Sequence, residues 1–292
     1  MPIKRITILG TGLMGASVGL ALRAQCFSGT IAGWDPDSEE LHTAFSLGAI
    51  TVLADDPLTA ATESDVIVLG GPVFTILEWL DRLAPVLRPD QLVTDVGSVK
   101  GALCARAQGR YNGADQPGFL PGHPMAGKEI GGAGNADAAL FADSVWLFTE
   151  CGAPMSRAAR GLAEEWASWV EKFGAHNRYL DPDRHDVLCA WISHLPQFVS
   201  TAMSALLEDE FAANADLLPI GGRALREMTR LGASPFSMWR DIAHTNTAAI
   251  AQSLHALEQR LAHIRENLKT PELRDQFERA NRFRVSKPEK KR

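Results

Sequence analysis

Short apolar segments alternate with longer segments of helical periodicity through the first 180 residues of the chain. Residues 65–69 are one aspartate followed by four apolar residues, as expected for a strand that is covered on both faces of its sheet. This alternation predicts a parallel, doubly wound sheet with helices on both faces. The predicted strands are 3–9, 30–34, 65–69, 91–95, 119–122, 144–149 and 177–180, and the predicted helices are 16–25, one that follows Ser38 as N-cap, 73–87 and 158–173.

The pattern changes near residue 182, where strand-like segments end and long helical periods begin. These periods cover residues 184–208, 213–231, 238–268 and 271–281. We therefore predict a first domain at 1–182, an all-helical domain at 183–281 and a basic, solvated tail at 282–292. Extended apolar helix faces are commonly buried against a second copy of the chain, so a homodimer through the helical domain is expected.

Composition and charge narrow the class of partner. The chain has 292 residues, of which 46% are hydrophobic, and a net charge of −6. An acidic protein has no overall field that attracts nucleic acid or an anionic membrane surface, so a small-molecule partner is expected. No run of eighteen apolar residues and no signal-peptide pattern occur, which predicts no membrane span and a cytoplasmic location.

Cysteine and histidine spacing indicates neither a disulfide framework nor a metal site. The four cysteines, Cys26, Cys104, Cys151 and Cys189, are widely separated and include no Cys-x-x-Cys pair. No two histidines are three or four residues apart on a predicted helix. We expect four free thiols in a reducing compartment and no bound metal.

A glycine-rich turn at residues 10–15, Gly-Thr-Gly-Leu-Met-Gly, lies between the first predicted strand and the first predicted helix. In this context the pattern is typical of a Rossmann-type dinucleotide-binding fold, although a purely structural glycine turn is the alternative. Gly10 would permit the tight turn, Gly12 the close approach of a pyrophosphate, and Gly15 the packing of helix on sheet. The phosphates would lie on the free N–H groups of the helix. The predicted contacts are Gly10, Gly12, Leu13, Met14 and Gly15.

An acidic residue after the second strand favours NAD over NADP. Asp35 follows Gly15 by twenty residues, where a carboxylate accepts hydrogen bonds from the adenosine ribose and repels a 2′-phosphate. Asp37 is a competing candidate that lies further beyond the strand.

Three further segments carry candidate chemistry: residues 95–100, 122–129 and 190–196. The first two follow strands, so Ser98 and His123 are expected in the crevice at the carboxyl edge of the sheet. His123 could accept a proton from a hydroxyl group as hydride leaves the same carbon, and Ser98 could fix the imidazole tautomer. A histidine whose hydrogen bonds are satisfied within a loop is the alternative.

These segments resemble the prephenate/arogenate dehydrogenase family of tyrosine biosynthesis. The resemblance rests on Asp-x-x-Ser-x-Lys at 95–100, Gly-His-Pro-Met-Ala-Gly at 122–127 and Ser-His-Leu-Pro at 193–196. Met-Thr-Arg at 228–230 and Met-Trp-Arg-Asp-Ile at 238–242 are similar to the family's substrate-binding helices. The chain departs from the family at 224–227, where Ala-Leu-Arg-Glu replaces a frequent Gly-Phe-Arg-Asp.

The resemblance implies oxidative decarboxylation of prephenate or arogenate, with hydride transfer from C4 of the ring to NAD. It implies that His123 accepts the proton of the C4 hydroxyl and that Ser98 orients His123. It further implies that Arg230 binds a substrate carboxylate, with Arg223, Arg226 and Arg240 as alternatives. The remaining implied site residues are His194, which lines the pocket, Glu129, which joins an ionic network at the entrance, and Trp239, which shapes the pocket.

Two other functions are considered. A 3-hydroxyacid-type dehydrogenase would need a lysine in its helical half, but no lysine occurs between Lys172 and Lys269. A non-catalytic NAD sensor on the same fold is the second alternative, and it would need no proton acceptor near the nicotinamide.

Overall fold

The computed structural model describes residues 2–211 and 217–285. The first half contains a six-stranded sheet in which every neighbouring pair is parallel, and its strand order is β3-β2-β1-β4-β5-β6. This order confirms the predicted doubly wound, Rossmann-type sheet. Its strands are β1 (Arg5–Leu9), β2 (Thr30–Trp34), β3 (Val52–Leu53), β4 (Val66–Leu69), β5 (Leu92–Asp95) and β6 (Gly118–Leu120).

The order of strands places three predicted features side by side. Leu9 at the end of β1 pairs with Trp34 on β2 and with Leu69 on β4. Because all three strands are parallel, the residues that follow them meet at one edge of the sheet. The glycine turn, Asp35 and the loop after β4 therefore share the topological switch point, where open sheets of this kind bind ligands.

A second sheet was not predicted. It contains β7 (Gly122–Pro124), β8 (Val145–Thr149) and β9 (His176–Leu180), with β7 antiparallel to β8 and β8 parallel to β9. The chain leaves the first sheet after β6, and the carbonyl of Pro121 accepts a hydrogen bond from Thr149 N at 3.1 Å. The single strand expected at 119–122 is thus divided between two sheets, and the apolar pattern alone does not reveal this change of partner.

Six α-helices and one 3-10 turn (Ala133–Asn135) accompany these strands in the described part of the first half. Asp37, rather than the expected Ser38, caps α2, because its carboxylate accepts hydrogen bonds from Glu39 N at 2.9 Å and Glu40 N at 3.5 Å. The helices are α1 (Leu13–Ala24), α2 (Ser38–Ser46), α3 (Pro57–Thr62), α4 (Val73–Leu83), α5 (Gly101–Ala107) and α6 (Arg157–Lys172).

The second half is helical throughout its described residues. The predicted helix 238–268 is interrupted at Asn246, whose side-chain amide donates to the carbonyl of Asp186 at 2.9 Å. The helices are α7 (Pro182–Cys189), a π-helical turn (Ala190–His194), α8 (Leu195–Phe211), α9 (Leu217–Ile220), α10 (Gly222–Thr229), a 3-10 turn (Arg230–Ala233), α11 (Phe236–Thr245), α12 (Thr247–Glu266) and α13 (Pro271–Val285). Because α13 continues to Val285, the predicted tail begins later than residue 282, and its last seven residues lie outside the described ones.

The two halves share buried contacts. One apolar cluster joins Leu69 and Leu103 of the first half to Ala190, Ile242 and Ile250 of the second. The buried carboxylate of Asp241 on α11 also accepts a hydrogen bond from Phe74 N, at the start of α4, at 3.1 Å. The helical half thereby forms a fixed second wall beside the carboxyl edge of the sheet.

The expectation of four free thiols is wrong for one pair. Cys104 on α5 and Cys151 after β8 are joined by a disulfide, with their Cα atoms 5.2 Å apart. Forty-seven residues separate them in sequence, so only the packing of α5 against the end of β8 brings them together. Cys26 is free and exposed, and Cys189 is free and buried.

None of the helices in residues 2–211 and 217–285 has the length and apolar character needed to cross a membrane.

Candidate active site

The glycine turn has the geometry that a dinucleotide requires. Gly10 has a φ of 98°, and a Cβ added there would lie 2.9 Å from the backbone of Gly70. A Cβ on Gly15 would lie 1.9 Å from the carbonyl oxygen of Gly10, so this helix packs on the turn only with glycine. Apart from its chain neighbours and the backbone of its own helix, no atom of residues 2–211 and 217–285 lies within 4 Å of a Cβ built on Gly12, which begins α1 without a side-chain cap. The open space and the free N–H groups of α1 fit a pyrophosphate.

Leu13 and Met14 can serve the predicted site only through their backbone. The side chain of Leu13 is 9% exposed, and that of Met14 packs against the apolar core beneath the sheet. Their N–H groups lie in the first turn of α1, where no intrahelical partner is available. The two residues therefore offer hydrogen-bond donors and no side-chain specificity.

Asp35 lies against the glycine turn, whereas the side chain of Asp37 caps a helix. Asp35 Oδ2 accepts a hydrogen bond from Thr11 N at 2.6 Å, and its Oδ1 accepts one from Asp37 N at 3.0 Å. The Asp37 carboxylate is instead engaged in capping α2. The structure thus separates the two candidates, and the half-buried Asp35 is the acid beside the turn.

His123 lies on β7 and is buried, with 6% of the residue exposed. Its Nδ1 is 2.9 Å from Nε2 of His185 on α7, and its Nε2 has no hydrogen-bond partner among the described residues. Burial, followed by the nearby His185 and Lys100, holds the pKa of His123 well below its ordinary value. The ring is therefore neutral near pH 7, and one nitrogen is available to a ligand.

Asp186 fixes the tautomer of both rings. His185 Nδ1 lies 2.8 Å from Asp186 Oδ1, and a carboxylate can only accept, so His185 carries its proton on Nδ1. Its Nε2 is then an acceptor, and His123 must donate from Nδ1. The free Nε2 of His123 consequently bears a lone pair, which is the form that a general base requires. We call the chain His123–His185–Asp186 the relay.

The relay is anchored on the start of α5. Asp186 Oδ1 accepts a hydrogen bond from Lys100 N at 2.8 Å, and its Oδ2 accepts one from Gly101 N at 2.9 Å. The Lys100 ammonium is fully buried and forms an ion pair with Asp95, which also accepts from Gly97 N and Gly122 N. The carboxylate that orients His185 is thus held by the same loop that follows β5.

Ser98 does not hold the imidazole as expected. Its half-buried hydroxyl has no hydrogen-bond partner among the described residues, and the partner of His123 Nδ1 is His185 instead. His185 and Asp186 are functional candidates that the sequence reasoning missed, since 62 residues separate His123 from His185. The spacing of His185 and Cys189, four residues apart on one helix, was the available signal.

Cys189 packs beside the relay. Its Sγ lies 3.6 Å from His185 Nε2 and 3.8 Å from His123 Nδ1. Burial raises the pKa of the thiol to about 12, so the side chain is neutral near pH 7.

His194 has the opposite tautomer. Its Nδ1 lies 3.4 Å from the side-chain amide nitrogen of Asn246, which donates, so the ring proton is on Nε2. That Nε2 is buried and has no partner among the described residues. Burial lowers the pKa of His194 to about 4, so the ring is a neutral donor. Trp239 packs edge-on against it at 5.8 Å, and the Trp239 indole N–H is also buried without a described partner.

Arg230 and Glu129 are brought together from the two halves as an ion pair. Glu129 lies six residues after His123, so the pair joins the His123 segment to the helical half. Of the alternative arginines, Arg223 pairs with an acid on its own helix and Arg240 pairs with the adjacent Asp241. Arg226 is exposed and has no ion-pair partner within residues 2–211 and 217–285.

Comparison with protein families matches both halves of the chain. Residues 18–175 match the family described as prephenate dehydrogenase, nucleotide-binding domain. Residues 181–282 match the family described as prephenate dehydrogenase, dimerization domain. The two matches together cover most of the chain.

Similar curated proteins include a prephenate dehydrogenase of Bacillus subtilis, which is 30% identical over 246 residues, covering 81% of this chain. This chain spans 62% of the length of that relative. A cyclohexadienyl dehydrogenase of Zymomonas mobilis is 27% identical over 85% of this chain and 82% of its own length.

Similar solved structures include a prephenate dehydrogenase from A. aeolicus in complex with hydroxyphenyl propionate and NAD+. It is 27% identical, with a TM-score of 0.85, over 98% of this chain and 99% of that chain. An arogenate dehydrogenase from Synechocystis is 28% identical, with a TM-score of 0.74, over 97% and 99% of the two chains.

Proposed function

This chain belongs to the prephenate dehydrogenase family, and we propose that it oxidises and decarboxylates prephenate or arogenate with NAD, which gives 4-hydroxyphenylpyruvate or tyrosine. The family expected from the sequence motifs is confirmed. The observation that carries the proposed reaction is the free Nε2 of His123, which the relay holds as a proton acceptor at the carboxyl edge of the sheet. Bound NAD would supply the hydride acceptor.

In the proposed reaction, His123 Nε2 takes the proton of the C4 hydroxyl as hydride leaves that carbon. The resulting imidazolium keeps its Nδ1–H bond to His185, and the Asp186 carboxylate stabilises the positive charge through His185. Loss of the ring carboxylate as carbon dioxide then makes the ring aromatic, and the phenolate oxygen takes the proton back from His123. Since aromatisation supplies the driving force, the protein needs to orient the ring and to remove one proton. Ser98 lies two residues before Lys100, whose N–H holds the Asp186 carboxylate, and we propose that the Ser98 hydroxyl contacts the substrate hydroxyl.

The two substrate carboxylates would be bound by groups of different kinds. We propose that neutral His194 donates from its unpaired Nε2–H and that Arg230 supplies the positive charge. Glu129 would hold Arg230 at the entrance until a substrate carboxylate replaces it. Trp239 would shape the pocket through its packing on His194.

Replacing Arg230 with glutamine is expected to raise the substrate KM by about 10- to 100-fold, because a charge-assisted hydrogen bond to a carboxylate is lost. The value of kcat should change little, since the guanidinium binds the ground state and the transition state alike. Steady-state kinetics would measure both. Arg223→Gln is the matched control, because Arg223 is paired on its own helix. A larger KM effect at Arg223 than at Arg230 would contradict the assignment.

Asp35 is expected to make NAD the preferred cofactor. The wild-type kcat/KM should be higher with NAD than with NADP. Asp35→Ser should lower the ratio of these two kcat/KM values by about tenfold or more, because the repulsion of a 2′-phosphate is removed. Kinetics with both cofactors would measure the ratio. Asp37→Asn serves as control, since asparagine can still cap α2. Equal efficiency of the wild type with both cofactors would overturn this prediction.

The activity is tested by incubating the purified chain with NAD and, in turn, prephenate, arogenate and a panel of 3-hydroxyacids. NADH formation with either cyclohexadienol supports the proposal, and the comparison of the two decides between the keto and the amino side chain. Turnover of a hydroxyacid alone would favour the 3-hydroxyacid class. NAD binding without turnover of any substrate would favour a sensor.

We also propose a division of the chain at residues 182 and 183, a homodimer through the helical half, and a cytoplasmic location. Large apolar side chains on this half are exposed in the single chain, including Ile220, Phe236 and Phe277. A monomer by sedimentation equilibrium would overturn the dimer.

Disulfides are rare in the reducing cytosol, so a fully oxidised Cys104–Cys151 pair in rapidly quenched cells would count against the cytoplasmic location.

A further inference from the structure

The two histidines of the relay and Cys189 form a group of side chains that could hold a metal ion. Among the described residues, His123, His185 and Cys189 are the group whose ligand atoms lie within 4.8 Å of one another with all three side chains buried. The separations are 2.9 Å between the two nitrogens, and 3.6 Å and 3.8 Å from Sγ to each of them. We call these three side chains the HHC cluster.

The separations are close to those of a tetrahedral zinc site. With ordinary Zn–N and Zn–S lengths, a tetrahedral ion sets its ligands about 3.3 Å apart for two nitrogens and about 3.6 Å apart for sulfur and nitrogen. Only the distance between the two nitrogens would have to grow, by about 0.4 Å. Two imidazoles and one thiolate leave a fourth position of the tetrahedron for a water molecule.

The surroundings of the HHC cluster also suit a divalent ion. A histidine that binds zinc usually donates its other ring N–H to a carboxylate, and His185 already donates Nδ1–H to Asp186 at 2.8 Å. The thiolate of Cys189 and the carboxylate of Asp186 together carry two negative charges, which balance Zn²⁺ in a buried site. The Lys100 ammonium does not add to the balance, because Asp95 neutralises it.

We propose that the HHC cluster is an inhibitory binding site for a thiophilic divalent cation, with Zn²⁺ as the best fit. Binding would release the Cys189 thiol proton to solvent and would move the His123 proton from Nδ1 to Nε2, because the ion occupies Nδ1. The Nε2 lone pair that accepts the substrate proton is then lost. The ion does not touch the glycine turn or Asp35, so cofactor binding is unaffected.

Binding is tested with Co²⁺ as a spectroscopic probe on the full-length chain, without substrate. We expect one Co²⁺ per chain, with the ligand-field bands of a tetrahedral site and a thiolate-to-metal charge-transfer band. Cys189→Ala should abolish the charge-transfer band, and Cys26→Ala, which removes an exposed thiol, should retain it. Cys189→Ser gives the same prediction if the alanine variant is unstable. Octahedral spectra, or a charge-transfer band that survives both Cys189 substitutions, would overturn the proposal.

Inhibition is tested separately with Zn²⁺, and it rests on the proposed function, whereas binding does not. Saturating Zn²⁺ should lower kcat at least tenfold, leave the KM for NAD unchanged and be reversed by EDTA. Cys189→Ala should keep most of its metal-free kcat and require at least a tenfold higher Zn²⁺ concentration for half inhibition, while Cys26→Ala should behave as the wild type. Cobalt binding without any turnover would leave the site intact and contradict the proposed function. Turnover that Zn²⁺ does not affect would overturn the inhibitory role.

Discussion

Replacing His123 with asparagine is expected to lower kcat by about 10²- to 10⁴-fold, the usual contribution of a positioned general base. Asparagine can still donate a hydrogen bond to His185 Nε2 from the place of Nδ1, so the packing of the relay is kept. It has no atom that can take a proton in the place of Nε2. The measurement is steady-state kinetics together with the dissociation constant of NAD, which should stay within about twofold because the glycine turn and Asp35 are untouched.

His255→Asn is the matched control for this substitution. His255 is exposed on α12, far from the relay in sequence, and its replacement should leave kcat unchanged. A His123→Asn variant that turns over at close to the wild-type rate would show that the proton acceptor lies elsewhere, even if the family and the cofactor are as described.

The second large effect is expected at His185, which acts as a positioning residue. Leucine at this position removes the acceptor that keeps the His123 proton on Nδ1, so a large fraction of the protein should carry the wrong tautomer. The loss in kcat should approach that seen when other bases lose the group that orients them, on the order of 10²- to 10⁴-fold. The substrate KM should change much less, because the carboxylate-binding groups are elsewhere.

Glutamine at position 185 distinguishes positioning from packing. Its side-chain oxygen can accept the Nδ1–H of His123, so His185→Gln should recover at least tenfold of the kcat that leucine loses. We expect the two variants to have similar stability, because each leaves Asp186 bonded to Lys100 N and Gly101 N. Thermal unfolding of both variants would measure this. Equal kcat values for the two variants at equal stability would show that His185 only fills space.

The parts of the site that depend on local sequence were predictable. The glycine turn needs a strand before it and a helix after it, and both were visible in the apolar pattern. Gly10 and Gly15 then occupy positions that exclude a Cβ, which explains the glycine at each of them. Asp35 was identified by its distance from the turn along the chain. The His123 segment was recognisable by its position at the end of a predicted strand.

The parts that depend on distant packing were not predictable from one sequence. Ser98 was chosen as the partner of His123 because both follow strands, but the partner is His185, which reaches Nδ1 from the helical half. Nothing in the spacing of Cys104 and Cys151 marks them as neighbours. The second sheet likewise arises from a change of strand partner after β6, and a strand pattern fixes the face that is buried but not the neighbour.

The most direct test of the proposed reaction follows both products of one turnover. With NAD and its preferred cyclohexadienol, the wild-type chain should form NADH and carbon dioxide in equal amounts, as oxidative decarboxylation requires. His123→Asn should bind NAD as the wild type does, and it should form both products far more slowly than the wild type. NADH without carbon dioxide, or equal product formation by the wild type and by His123→Asn, would contradict the account.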